Sequence, residues 1–409
     1  MVALNKSLVT ASSIKQRPEI ELLLCCTRTQ MSIEYAERIR YLVSQNIDWD
    51  ELVNTARRHE VLPLFYWQLK NVCPELVPPD VLVQLRSNFN ANAKRNLALT
   101  AKLLKLIKLF QQLGIPIIPF KGSVLAISVY KNLGLREFID LDILVPEQFV
   151  LESSKLLKLQ GYKPQFNISD DQISNYAKVN NEQAFWHEEQ QVAVDLHWEL
   201  LPKPFPSYSA LAWSSKEQVY LRSTAVQSIS AETLLLFLCA HGAKHSWSHL
   251  KFLIDIAELI RSRPDLNWDL IEEQSEKLGS KKVLFLGLYL CQELLGTVLP
   301  DSLVRQLQAN QLIKKLALRV QQQAFLPNDQ ANNAFGNDDI YIGTLSFKEQ
   351  LWLYFRVLVA PTPIELTMIS LPRWLFSLYY LLRPIRLFIK YALMQPKKKL
   401  IDLILSNTY

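Results

Sequence analysis

Two aspartates stand two apart in the run Ile139-Asp140-Leu141-Asp142-Ile143-Leu144-Val145. On a strand alternate side chains share a face, so Asp140 and Asp142 project to one side. Leu141, Ile143 and Val145 project to the other, where a core can cover them. Carboxylates about 6–7 Å apart on one face repel unless a cation lies between them. Hard oxygen donors of this kind suit magnesium, which also takes oxygens from substrate phosphates. A second run, Val194-Asp195-Leu196-His197-Trp198, alternates in the same way and places Asp195 and His197 together. If the two strands are neighbours, Asp195 joins the pair. Three carboxylates can then hold two metal ions, one on a triphosphate and one on an attacking oxygen. Asp140, Asp142 and Asp195 are therefore the candidate catalytic and metal-binding residues, with Asp195 best placed to assist deprotonation of an acceptor. His197 reads as a partner of a carboxylate rather than as a base.

A phosphate-bearing substrate also needs donors. Gly122-Ser123 sits where a strand turns into a helix: glycine permits close backbone approach, and a helix N-terminus offers unpaired N–H groups. Ser123 is either a phosphate contact or a helix cap. Lys121 and Arg136 are candidate phosphate ligands. The structural alternatives are a surface cation, or, for Arg136, a partner that holds the acidic cluster. Lys244 and His245 either face the cleft, contacting phosphate or acceptor, or pair with Asp255. His241 and His245 lie four apart on one helical face, but no third zinc ligand is evident.

The elements that must position these residues fall into blocks. Helical spacing runs from Ile33 to about Leu69, with Asp48 and Glu51 as a capping pair, and a long helix spans about Val81 to Leu113, stopped by Gly114. Residues 1–30 read as a loose lead-in. Ile115–Phe120, Ile139–Val145, Ala184–His187 and Val192–Trp198 read as strands, the last two joined as a hairpin. Helical spacing returns from Ala231 to about Phe325. The expected organisation is a helical region over 1–112, a mixed α/β core over 113–228 and a helical domain over 229–325. A linker loop rich in Asn, Asp, Gly and Pro follows over 326–344, then an aromatic and basic helical tail over 345–409.

A strand, a Gly-Ser turn, a helix and a strand bearing Asp-x-Asp together resemble the polymerase β-like nucleotidyltransferases. The ordered set Lys121-Gly122, Tyr130, Arg136, Asp140-x-Asp142 and Val194–Trp198 is similar to the bacterial family of uncharacterised nucleotidyltransferases. The helix His241–Trp247 with Leu250 and Asp255, and Asp48-Trp49 with Ala56 and His59, are similar to it as well. The similarity covers roughly residues 35–320. It implies an α+β fold: a polymerase β-like core with a small mixed sheet, flanked by N- and C-terminal helical regions. The implied activity is transfer of a nucleoside monophosphate from a nucleoside triphosphate, ATP first, with release of pyrophosphate. Mg2+ would be the cofactor and Mn2+ the alternative. The family is defined by its motif, so it does not supply the acceptor, which could be a small molecule, protein or RNA.

Composition agrees with a large folded core: apolar residues make up 49% of the 409 and charged residues 21%. The net charge of +6 is a mild basic excess without a dense basic stripe, which argues against a nucleic-acid-modifying role. Five cysteines without a C-x-x-C pair suit a reducing compartment, and Met1 to Glu21 lacks the continuous apolar stretch of a signal peptide. The expected location is cytoplasmic, with one membrane-peripheral alternative. Residues 372–399 combine Trp374, Phe376, Tyr380 and Leu381 with Arg383, Arg386, Lys390 and Lys397–Lys399, which suits either a helix packed on the domain or an interfacial segment. A different functional class also fits the carboxylates: a module that binds nucleotide or a partner protein without transferring anything.

Overall fold

The structure is a computed structural model that describes residues 17–202, 205–326 and 339–390. The start of the lead-in (1–16), most of the expected linker (327–338) and the lysine run Lys397–Lys399 lie outside the described residues.

Strands β1 (Ile118–Pro119), β2 (Asp140–Leu144), β3 (Lys163–Pro164), β4 (Glu182–His187) and β5 (Val192–His197) form one sheet in the order β1-β2-β5-β4-β3. β2 and β5 run parallel, and every other pair is antiparallel, so the sheet is small and mixed. β1 is shorter than the apolar run Ile115–Phe120 suggests, because Pro116 and Pro119 have no N–H to give to a ladder. A separate hairpin, β6 (Lys216–Leu221) and β7 (Thr224–Ile229), is not anticipated by the sequence reading. Its turn runs through Arg222 at φ 57°, and Ser228 donates to the Pro119 carbonyl at 2.8 Å, tying it to β1.

Helices occupy both flanks. The spacing read as one stretch from Ile33 to Leu69 is divided among Ile33–Val43, Trp49–Arg58 and Leu62–Val72, and Asp48 caps the second by accepting from the Glu51 N–H at 2.9 Å. The long helix runs Pro79–Gln112. Val81 and Leu85 belong to an apolar cluster shared with the helices on both flanks, whereas Leu99, Leu103, Ile107 and Phe110 pack with the sheet. Two expectations are overturned. The lead-in contains the helix Pro18–Cys26, whose Ile20 and Leu22–Cys26 are buried, and the linker contains the helix Asp339–Thr344. In the latter Tyr341 stacks on Phe205 with ring centroids 4.2 Å apart, so burial overrides the turn-rich composition around it.

The tail forms helices Phe347–Val359, Pro363–Met368 and Tyr379–Phe388. Tyr379, Arg383 and Leu387 are buried, while Trp374, Leu381 and Phe388 are exposed. No helix among the described residues is long and apolar enough to cross a membrane.

His59 joins the first helical block to the helix Leu250–Ser262. Its Nδ1 accepts from the Leu250 N–H at 3.2 Å, and its carbonyl accepts from the Lys251 N–H at 3.3 Å. Burial, with Arg58 and His249 adding, pushes this imidazole down to about 3. Above about 6.5 both the folded and unfolded rings are neutral. Below that value the unfolded chain takes up a proton that the folded chain refuses until about 3, so stability falls as the pH is lowered through this window. We expect this one group to cost roughly 2 kcal/mol between pH 6.5 and pH 5, at about 1.4 kcal/mol per pH unit. His59→Asn places an uncharged acceptor where Nδ1 stood. Urea unfolding at each pH should show a shallower acid slope for this variant than for wild type. Equal slopes would remove His59 from the account.

Candidate functional site

The sheet register assembles the acidic cluster. In the parallel β2–β5 pair Asp142 lies directly beside Asp195, Asp140 beside Ala193 and Leu144 beside His197. On the other side of β5, antiparallel β4 sets Ala184 beside Asp195 and Glu182 beside His197. Strand alternation therefore puts Asp140, Asp142, Asp195, His197 and Glu182 on one face. They line one cleft of about 470 Å3, together with Lys121, Arg136, Lys244 and His245. A roomier cavity of about 520 Å3 lies among residues 205–208, 278–283 and 341–353. None of the clustered acids lines it; the titratable groups converge in the cleft, which makes the cleft the candidate site.

Cations balance the carboxylates from within the protein. The Lys121 ammonium lies 2.6 Å from Asp142 Oδ1. His197 Nε2 lies 3.2 Å from the same oxygen, and its Nδ1 lies 2.9 Å from Glu182 Oε2. The Nδ1 contact is close but poorly aligned as a hydrogen bond, so it acts as an ion pair. Burial alone would lower His197, but Glu182 and Asp142 outweigh it and push the ring up to about 9. Burial would raise Asp142, yet Lys121 and His197 hold it down to about 2. Asp195 has no comparable ion pair among the described residues, and burial, reinforced by Asp142 and only partly offset by His197, pushes it up to about 7. Asp140 shifts upward for the same two reasons.

Among the described residues, the side chains whose donor atoms lie within 4.8 Å of one another are Asp142, Asp195 and His197; Asp140 lines the same cleft outside that group. The two carboxylates fit a hard divalent ion such as Mg2+. The imidazole faces a carboxylate from each nitrogen, which favours its protonated form, so it would have to give up a proton before joining them as a ligand.

The cation candidates are placed differently from one another. Gly122 adopts φ +44°, and a Cβ there would come within 3.3 Å of the Phe138 ring and 3.5 Å of the Asp140 carbonyl oxygen, so glycine serves both the turn and the approach to β2. Ser123 does not cap its helix, Gly122–Ser128, for which no side-chain cap exists. Its hydroxyl is buried and accepts from Thr100 Oγ1 at 2.8 Å. Arg136 acts on Asp140 and Asp142 through space, while its hydrogen bonds go elsewhere. Its Nε and Nη2 donate to the two oxygens of Asp255 at 2.8 Å each, and the Tyr130 hydroxyl donates to the same carboxylate at 2.7 Å. Asp255 thus pairs with Arg136 and Tyr130. Lys244 lines the cleft, and His245 stacks on Phe252 with centroids 5.2 Å apart. Burial, with Lys244 and Lys121 adding, pushes His245 down to about 3, so it meets any ligand as a neutral ring.

Several contributing residues escape the sequence reading. Glu182 falls just before the strand read as Ala184–His187; its signal is the alternation Glu182, Ala184, Trp186. Asn92 and Asn96, four apart on the long helix, donate to the carbonyls of Gly134, Leu133 and Arg136 and fix the loop that carries Arg136. Lys251 also lines the cleft, paired with Glu60 at 2.5 Å.

Removing the partner of a buried charge is costly. Asp255→Asn should destabilise the protein by roughly 3–5 kcal/mol in urea unfolding, because it strands the Arg136 guanidinium. Adding Arg136→Met should recover part of that loss, making the two effects less than additive. Simple additivity would show that the pair is not coupled.

The family model described as "Uncharacterised nucleotidyltransferase" matches residues 45–296, more than half of the chain. No curated protein and no solved structure matches it.

Proposed function

The chain belongs to the uncharacterised nucleotidyltransferase family, and from that premise we propose that it moves a nucleoside monophosphate from a nucleoside triphosphate, ATP first, to an acceptor, releasing pyrophosphate. The observation that carries the reading is the register of β2 and β5, which sets Asp142 beside Asp195 in a cleft edged by Lys121 and Arg136. We assign residues 113–228 to a polymerase β-like core and 229–325 to the helical domain that completes the cleft.

Asp140, Asp142 and Asp195 would hold Mg2+, or Mn2+ in its place, and the bound ion would neutralise charge on the triphosphate and lower the pKa of the acceptor. Lys121 exchanges part of its contact with Asp142 for phosphate oxygens, and Arg136, oriented by Asp255 and Tyr130, presents its remaining N–H groups to them. The Gly122 and Ser123 backbone and the Lys244 and His245 side chains complete the phosphate and acceptor contacts. Asp195 assists removal of the acceptor proton. Its position at the edge of the cleft, beside Asp142, suits it to assist that deprotonation. A reducing, cytoplasmic setting suits the five cysteines, which are all buried and form no disulfide.

The test uses α-labelled ATP, GTP, CTP and UTP with Mg2+ and fractionated cell extract. Asp195→Asn should lower pyrophosphate release by at least about a hundredfold, as loss of a general base does. Its MgATP affinity should fall too, because the lost carboxylate is one of the proposed metal ligands, but by less than pyrophosphate release falls. Release that survives the substitution would remove Asp195 from the reaction. MgATP binding with no release in any fraction would favour the non-catalytic module.

Membrane-peripheral contact through 372–399 rests on one observation, the exposed Trp374, Leu381 and Phe388. Full-length protein should then co-sediment with phosphatidylserine vesicles more than with neutral ones, and Trp374→Glu with Phe388→Glu should abolish the difference. No difference for wild type would end the membrane reading.

A further inference from the structure

A second cavity, of about 300 Å3, opens on the same sheet face. It meets the acidic cleft at Asp195, Glu182 and Lys244, which line both. The cleft lies over β2 and β5, and the second cavity lies over β5 and β4. Space exists there because the residue beside Asp195 on β4 is Ala184, whose small side chain leaves the Asp195 carboxylate open on that flank. The far wall comes from the tail: Leu353, Arg356 and Val357 of the helix Phe347–Val359, and Ile364 of the helix Pro363–Met368. These residues lie beyond the 45–296 that match the family.

The two cavities differ in chemistry. The cleft gathers Lys121, Arg136, Lys244 and Lys251, which suits the phosphates of a metal-bound nucleotide. The second cavity presents the amide side chains of Gln165, Asn180 and Asn181, apolar surface from Phe166 and Ile364, and the cation Arg356 at half-buried depth; Arg383 also lines it, but is fully buried and engaged with the Val357 carbonyl, Thr362 and Glu365. Amides and an apolar wall match hydroxyls and C–H faces, and a guanidinium matches one phosphate or carboxylate. The volume is at the lower end of small-molecule sites, which run from about 300 Å3 upward.

We infer that this cavity is the acceptor subsite and that it takes a small polyhydroxylated molecule, a sugar or polyol bearing at most one anionic group. The assignment rests on the nucleotidyltransferase reading. A hydroxyl oxygen of the bound molecule forms the new bond to the α-phosphorus, and its proton is released to water. The bond from the α-phosphorus to the bridging oxygen breaks, and its electron pair leaves on pyrophosphate. Asp195, shared by both cavities, stands at the only border this transfer needs to cross. The tail then decides which acceptor is used, and the matched region supplies the reaction.

Thermal shift on the full chain tests this, with hexoses, pentitols, inositol and their monophosphates as probes and MgATP as a separate ligand. Wild type should be stabilised by at least one panel member and by MgATP. Ile364→Trp, which narrows the cavity from the tail side, should lose the panel shift and keep the MgATP shift. Arg356→Gln, at a partly exposed position that tolerates change, should weaken anionic members about tenfold, the size of one charged hydrogen bond, without affecting MgATP. Absence of any panel shift in wild type, or an undiminished shift in both variants, overturns the subsite. A wild-type protein that binds a panel member but never MgATP overturns the nucleotidyltransferase reading instead and leaves the cavity as a binding site for that molecule.

Discussion

The fold is organised around two carboxylates that the β2–β5 register forces side by side, Asp142 and Asp195. Carboxylates at adjacent positions of a mostly buried sheet face cannot both stay ionised without nearby positive charge. The chain answers asymmetrically. Asp142 receives Lys121 and His197 and stays ionised, while Asp195 receives neither ion pair and is held close to the protonation boundary. Glu182 extends the same logic outward by stabilising the proton on His197. The result is one carboxylate that stays ionised and a neighbour that can exchange a proton.

That asymmetry depends on elements far apart in sequence. Lys121 is delivered by the turn at Gly122, which can come close to β2 only because it has no side chain. Arg136 is delivered by a loop pinned by Asn92 and Asn96 and clamped by Asp255 from the helix Leu250–Ser262. A buried guanidinium with both ends of its carboxylate partner engaged has little rotational freedom. The Arg136–Asp255–Tyr130 group therefore ties the helix Leu250–Ser262 to the segment that leads into β2, at the edge of the cleft. His59 fixes the opposite wall through the backbone of Leu250 and Lys251.

The parts of this arrangement that are legible in the sequence are those set by short-range alternation. Asp140-x-Asp142 and Asp195-x-His197 each declare a polar face on a strand whose other face is apolar, and the structure puts Asp142 and Asp195 in adjacent positions. What alternation does not reveal is which residue of a third strand comes into register, so Glu182 goes unread until β4 is paired with β5. The same holds for Ser123. A Gly-Ser turn before a helix reads as a cap from local sequence, and only the approach of Thr100 from the long helix shows where the hydroxyl goes. Composition misleads at Asp339–Thr344, where the Asn-, Asp- and Gly-rich surroundings mask a helix anchored by Tyr341 on Phe205. Proline is underweighted at Ile115–Phe120, where two missing N–H groups cut a six-residue apolar run to a two-residue strand.

The charge around the cleft carries the argument one step further. Glu60, Glu137, Asp140, Asp142, Glu182, Asp195 and Asp255 line it against Lys121, Arg136, Lys244, Lys251 and a protonated His197. His241 and His245 add nothing positive, because burial and the adjacent lysines keep them neutral. The acids outnumber the cations, and the most buried cations are already engaged, Lys121 with Asp142 and Arg136 with Asp255. A bare polyphosphate entering such a site would meet carboxylates before free positive charge, and at close range that repulsion is not screened by salt. In the proposed reaction the same polyphosphate carrying a divalent cation would reverse the balance: the carboxylates would become its ligands, and Lys121 would be free to turn from Asp142 to the phosphate. Metal dependence in this reading follows from the charge of the cleft itself, independently of any likeness to other nucleotidyltransferases.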